Sequence, residues 1–190
     1  MNGMERKQFL KACLVGMSSC AACGVAGLAG AADEGAGAGQ DDAAVGRTVE
    51  AMRVRYAALV GVIGRHVPEE TQRTIFRELG RECARQFKGM TYEKFAGNID
   101  GFLAEARGAN GWMAGADYDQ KAGVITIVDR AKSCTCPLVK PGLTPAAQCE
   151  CTLGWQEETY SRILGRPVKA SLVESILRGS NRCVFRVETT

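Results

Sequence analysis

The stretch CTCPLVKPGLTPAAQCECTLGW, residues 134–155, sets two Cys-X-Cys pairs twelve residues apart. Thiolates are soft ligands and select zinc or an iron–sulfur cluster over magnesium or calcium. In extended chain, side chains two residues apart point to the same side, so Cys134 and Cys136 could join Cys149 and Cys151 around one metal ion. Pro137, Pro141, Gly142 and Pro145 would shape the loop that brings the pairs together. The same sulfurs admit two other chemistries. Beyond residue 31 the cysteines are Cys83, Cys134, Cys136, Cys149, Cys151 and Cys183, an even set that an oxidising compartment could pair as disulfides. A bond within a Cys-X-Cys pair would close a small strained ring, but the two pairs could bond to each other across the loop. Alternatively, one thiolate could serve as a nucleophile.

Other candidate groups are few. Cys183 falls on a strand that could neighbour the loop, so it joins the candidate metal ligands, whereas Cys83 falls on the apolar stripe of an expected helix and reads as a small core residue. The sole histidine, His66, is expected at a helix C-terminus, where the dipole favours it. No Ser-His-Asp or Cys-His pairing is legible, and no Gly-rich phosphate loop follows a strand. The candidate catalytic acid is Glu174. Strand alternation turns it toward an apolar face, where desolvation would raise its pKa, while a bulge would leave it as an edge carboxylate in water.

The elements that must position these residues follow from periodicity. Val49, Met52, Tyr56, Leu59, Val60 and Ile63 recur at helical spacing up to Pro68. Phe76, Leu79, Cys83 and Phe87 stripe a second helix that ends near Gly89. Thr91 can cap a third, with Phe95, Ile99, Phe102, Leu103 and Ala106 on its apolar side and Gly108 as its stop. After Gly111 the period changes to two, and residues 123–128 read as a strand leading into Cys134. A helix is expected over residues 153–165. Strands over 167–177 and 182–187 follow, joined by a turn at Arg178-Gly179-Ser180-Asn181. On the last of these, Cys183, Phe185 and Val187 share a face.

The N-terminus bears on which sulfur chemistry is open. Arg6, Lys7 and Lys11 precede an uncharged run from Ala12 to Ala32 that ends Ala29-Gly30-Ala31, the layout of a signal peptide over residues 1–31. That run is rich in Gly, Ala, Ser and Cys, so burying it in lipid as a helix would gain little. Arg6-Lys7-Gln8-Phe9-Leu10-Lys11 resembles the twin-arginine signal at five of six positions, with Lys7 in place of the second arginine. The resemblance implies engagement of the export machinery and a folded, exported product, periplasmic or extracytoplasmic. Met17-Ser18-Ser19-Cys20 is a poor lipobox-like site for a lipid anchor on Cys20. Residues 32–46 read as a flexible linker, and residues 47–190 as a single domain. Without residues 1–31 the formal count falls from 24 basic and 21 acidic residues to 21 and 20. That near-neutral balance argues against a nucleic-acid partner.

Cys134-Thr-Cys-Pro, Cys149-Glu-Cys-Thr-Leu-Gly-Trp, Gly165-Arg-Pro-Val and the run from Glu174 to Val187 resemble the four-vinyl-reductase-like small-molecule-binding domains. They are also similar to the L-2-amino-thiazoline-4-carboxylic acid hydrolase-like proteins. The resemblance spans roughly residues 120–190. It implies an α+β fold, N-terminal helices packed on a small antiparallel sheet with a Cys-rich loop, and a pocket for a small-molecule ligand. It would make Cys134, Cys136, Cys149, Cys151 and Cys183 the sulfur positions and Glu174 a pocket residue; Ser175 stands where some relatives have cysteine. The expected function is an exported small-molecule-binding domain with a Cys-ligated zinc or iron–sulfur site. The alternatives are a small hydrolase of a C–N or C–S bond, using metal-activated water or a thiolate with Glu174, and a disulfide-clamped interaction protein.

Overall fold

The computed structural model describes residues 37–86 and 92–189. The expected signal peptide with Cys20 lies outside the described residues, as do Phe87, Gly89 and Thr91. The chain divides into two units, Met1–Gln40 and Asp41–Thr190. Among the described residues no helix is long and apolar enough to cross a membrane.

Helix α1 runs Gly37–His66 and so begins inside the stretch expected to be a linker. Ala38, Ala43 and Ala44 are the best of helix formers, enough to extend a helix backward from its strongly patterned half. Its expected apolar stripe is covered along one edge only: Ala57 and Val60 are buried, but Met52 and Leu59 remain 38% and 54% exposed. The helix stops before Pro68, where Gln72 Nε2 donates to Val67 O at 2.7 Å. Helix α2, Glu69–Gln86, then starts with Glu69 and Glu70 at the positive end of its dipole. A 3-10 turn over Tyr92–Phe95 leads to α3, Ile99–Arg107, whose N-cap is Asn98, its side chain accepting the Gly101 N–H.

Strands β1, Met113–Asp119, and β2, Val124–Asp129, form a hairpin closed by Asp119, which accepts the N–H groups of Lys121 and Ala122. Helix α4, Cys149–Leu164, ends at Gly165 with φ 66°, a left-handed position that glycine adopts without strain. Strands β3, Lys169–Glu174, and β4, Val184–Glu188, complete a four-stranded sheet of order β1-β2-β4-β3, antiparallel throughout. The fold is α+β, as the sequence leads one to expect. Phe102, Leu103 and Ala106 of α3 and Leu153, Tyr160 and Ile163 of α4 share one core with the inward sheet residues Ile125, Ile127, Ala170, Phe185 and Val187.

Helices α2 and α4 cross in backbone contact. A Cβ at Gly80 would lie 1.8 Å from the carbonyl oxygen of Cys151, and one at Gly154 would lie 2.0 Å from that of Arg77. This crossing turns α2 so that Phe76, Gly80 and Ala84 form its buried face. Leu79 and Cys83, expected in the core, are exposed for that reason. Charged residues bind the crossing on either side: Arg77 pairs with Glu150 at 2.9 Å and Glu157 at 2.5 Å, and Arg81 pairs with Glu157 at 2.5 Å.

Candidate functional site

Pro145 leads into a 3-10 turn, Ala146–Gln148, and α4 begins directly at Cys149. Cys149 and Cys151 therefore occupy the first helical turn, where residues two apart lie about 200° apart around the axis. The extended-chain premise that aimed both thiols at one ion fails at this pair. A closed cage of Cys134, Cys136, Cys149 and Cys151 does not fit the helix. Among the described residues no group of three or more His, Cys, Asp or Glu could hold a metal ion as the side chains stand. Cys83, Cys134, Cys136, Cys149, Cys151 and Cys183 are all free thiols.

Half of the described thiols line one cavity. Cys134 from the loop, Cys149 from α4 and Cys183 from the approach to β4 line one cavity of about 20 Å³, together with Thr152, Ser175 and Phe185. That volume holds about one water molecule. Cys149 Sγ lies 3.1 Å from Ser175 Oγ, and Ser175 Oγ also accepts the Leu177 N–H at 3.1 Å. Burial pushes the Cys134 thiol up to about 11. It also raises Cys149 and Cys183, with the hydrogen bond to Ser175 and the charge of Arg178 pulling Cys149 partly back. At neutral pH these three groups are thiols, which are poor nucleophiles.

Cys83, Cys136 and Cys151 do not line this cavity. Cys151 lies at the Gly80 crossing, and Cys83 follows Gly80 by three residues along α2. Tyr56 from α1 donates its hydroxyl to Gln148 Oε1 at 2.5 Å beside them. Burial, followed by the charges of Cys136 and Cys83, pushes the Cys151 thiol up to about 12. Burial and then Cys136 raise the Cys83 thiol as well. The loop carrying Cys136 is held to α1, where Arg53 Nε donates to Pro137 O at 2.6 Å.

The pKa of the Glu174 carboxyl is lowered, against the expectation that burial would raise it. The register between β3 and β4 shifts between Leu172 and Glu174, at the end of the strand, and Glu174 is half-buried there. Arg182 donates to both carboxylate oxygens at 3.0 and 2.7 Å, and that pairing holds the Glu174 carboxyl below its ordinary value. His66 is exposed on the last turn of α1. Sequence reasoning missed Ser175 and Gln148 as neighbours of the thiols. Ser175 carried a readable signal, a serine that caps the 3-10 turn Ile176–Arg178 ahead of Gly179, whereas nothing in the sequence marks Gln148.

An open groove of about 270 Å³ lies on the far side of the α4 start, lined by Arg73, Phe76, Ala147, Glu150 and Arg178 among others, with no cysteine in its wall. No family model matches the chain, and no curated protein matches it. A solved structure to which it is similar is subunit 3 of a trafficking protein particle complex from Naegleria fowleri, covalently bound to palmitic acid. The two share 14% identity at a TM-score of 0.49, over 75% of this chain and 95% of that one.

Proposed function

We propose that this chain is an exported binding module without turnover, and that its centre is the cavity at the start of α4, which takes one thiophilic ion between Cys134, Cys149 and Cys183. The observation that carries this reading is the convergence of three thiols from three separate segments on a cavity of about 20 Å³. Organic ligands occupy pockets of roughly 300–1,000 Å³, so a guest of atomic size suits this cavity and a thiazoline-like ring does not. Holding the ion requires rotation about the Cα–Cβ bonds of the three cysteines, a small movement for so short a side chain. The sense of the resemblance, a binding domain, is kept, while the ligand set shrinks from five sulfurs to three.

Three observations weigh against the hydrolase alternative. The thiols are raised by burial and so are weakly nucleophilic at neutral pH. Glu174 is committed to Arg182, and the larger, open groove has no cysteine in its wall.

Zinc titration of the full chain, purified metal-free under reductant, tests the reading. Cys134→Ser, Cys149→Ser and Cys183→Ser should each weaken binding by more than about tenfold, because an incomplete thiolate set loses affinity. Cys151→Ser and Cys83→Ser should leave it within about twofold. Equal losses at Cys149 and Cys151, or no binding by the unmodified chain, would reject it.

A further inference from the structure

We propose that α1 is the contact surface of a homodimer: two copies of the chain pair their α1 helices antiparallel, and the heptad face that each copy leaves uncovered closes against the other. No residue of α1 lines the cavity at the start of α4, so the proposal stands apart from ion binding.

Helix α1 is 30 residues long, yet among its described residues only Ala57 and Val60 are buried. Most helical stability in a protein comes from packing of an apolar face, and so long a helix has more of that face than its own fold covers. Val45, Val49, Met52, Tyr56, Leu59 and Ile63 are spaced alternately four and three residues apart, the heptad period of helices that pack lengthwise on one another. Val45, Val49, Tyr56 and Ile63 are half-buried, while Met52 and Leu59 are exposed. Of the eight large apolar side chains exposed among the described residues, six fall on α1 and α2. Apolar surface concentrated in this way marks an interaction site. The two on α2 lie toward α1: Gln72, Ile75 and Leu79, at i, i+3 and i+7, share the side of α2 from which Gln72 Nε2 donates to Val67 O, just past the end of α1.

Charge and register point to a second copy and give its direction. Asp42 stands near the start of the helix, and Arg65 and His66 in its last turn. An antiparallel pair sets Asp42 of each copy beside Arg65 and His66 of the other, whereas a parallel pair would set Arg65 against Arg65. With residue 54 at the midpoint, Val45 meets Ile63, Val49 meets Leu59 and Met52 meets Tyr56, each twice, so the face is complementary to itself. Arg53 and Arg55 flank the middle of this seam. Arg53 is turned away to Pro137 O, and the stem of exposed Arg55 can cover apolar surface while its guanidinium stays in water.

Sedimentation equilibrium of the full chain, under reductant and from about 1 to about 100 μM, tests the proposal. The expected mass is that of two chains, falling toward one on dilution. Leu59→Glu places a charge in the seam twice and should weaken dimerisation by more than about hundredfold. Leu59 is exposed in the single copy, so amide circular dichroism should match that of the unmodified chain at a dilution where both are monomeric. Leu143→Glu, at a side chain as exposed but off the two helices, should change dimerisation by less than about twofold. Asp42→Arg should weaken it by about tenfold, and Arg65→Asp in the same chain should recover the loss. The mass of one chain across the whole range, a dimer that Leu59→Glu leaves intact, or a charge swap without recovery would overturn the proposal.

Discussion

Ser175 is 1% exposed, and its hydroxyl meets two groups with little other provision, the Leu177 N–H and the Cys149 thiol. A buried donor left without an acceptor costs about 1–3 kcal/mol, more than a hydrogen bond contributes when made. Ser175→Ala should therefore lower stability by roughly 1–2 kcal/mol in a denaturant titration. The same change removes the hydrogen bond that favours the Cys149 thiolate, so Cys149 should titrate at still higher pH. Carbon NMR of a labelled Cys149 reads that shift directly. Unchanged stability with Cys149 moving down in pH would show that Ser175 does not act as argued. Glu174 marks the contrast at this scale. Its neighbour is a solvent-facing guanidinium, and the cavity is lined instead by thiols, the hydroxyl residues Thr152 and Ser175, Gln148 and apolar side chains.

Among the elements, the crossing of α2 with α4 sets where Cys83 and Cys151 lie. Gly80 and Gly154 let the two backbones touch, and a methyl at Gly154 would fall 2.0 Å from the Arg77 carbonyl oxygen, where backbone cannot yield cheaply. Gly154→Ala should cost about 1–3 kcal/mol or more by overpacking, and should loosen Arg77 and Arg81 from Glu157. A melt matching the unmodified chain would mean that the helices do not meet here. Glycine at this crossing also explains what the sequence hid. The stripe Phe76, Leu79, Cys83 has the right period, but the small residues Gly80 and Ala84, one step away, define the true contact face, and apolar scoring overlooks them. Longer signals survived. The periodic runs ending at His66 and Arg107, the alternation of Ile125 with Ile127, and Gly165 and Gly179 at their turns were all legible, because each rests on local period or on a positive φ. Strand β1 was not, since Met113-Ala-Gly-Ala-Asp-Tyr-Asp119 has little β-branched character and pairs through its partner β2. The start of α4 at Cys149 was also hidden. Ala146-Ala147-Gln148 offers no N-cap side chain, so the pattern pointed to a start at Leu153 and left the second Cys pair in extended chain.

At the scale of the whole molecule, the buried thiols should make stability and the proposed ion binding respond to pH in opposite directions. Below the ordinary thiol value of 9.0, folded and unfolded chains hold the same protons on these groups. Between there and about 11 for Cys134 or about 12 for Cys151, the unfolded chain releases protons that the folded chain keeps. Stability is thus fully present below about pH 9 and is lost as pH rises through the folded values. The proposed ion binding should run the other way. Coordination requires thiolates, so each proton displaced makes the affinity rise by up to about tenfold per pH unit while the thiols remain protonated. Thermal melts of the metal-free, reduced protein should accordingly fall above about pH 9. The increment in Tm on adding zinc should be larger at about pH 8 than at about pH 6. Cys134 lines the cavity and Cys151 does not, so their variants separate these responses. Cys151→Ser should flatten the metal-free decline and leave the zinc increment intact, whereas Cys134→Ser should diminish both. A metal-free Tm that climbs between about pH 9 and 11, or a zinc increment indifferent to pH, would contradict thiols held protonated by burial and displaced by an ion.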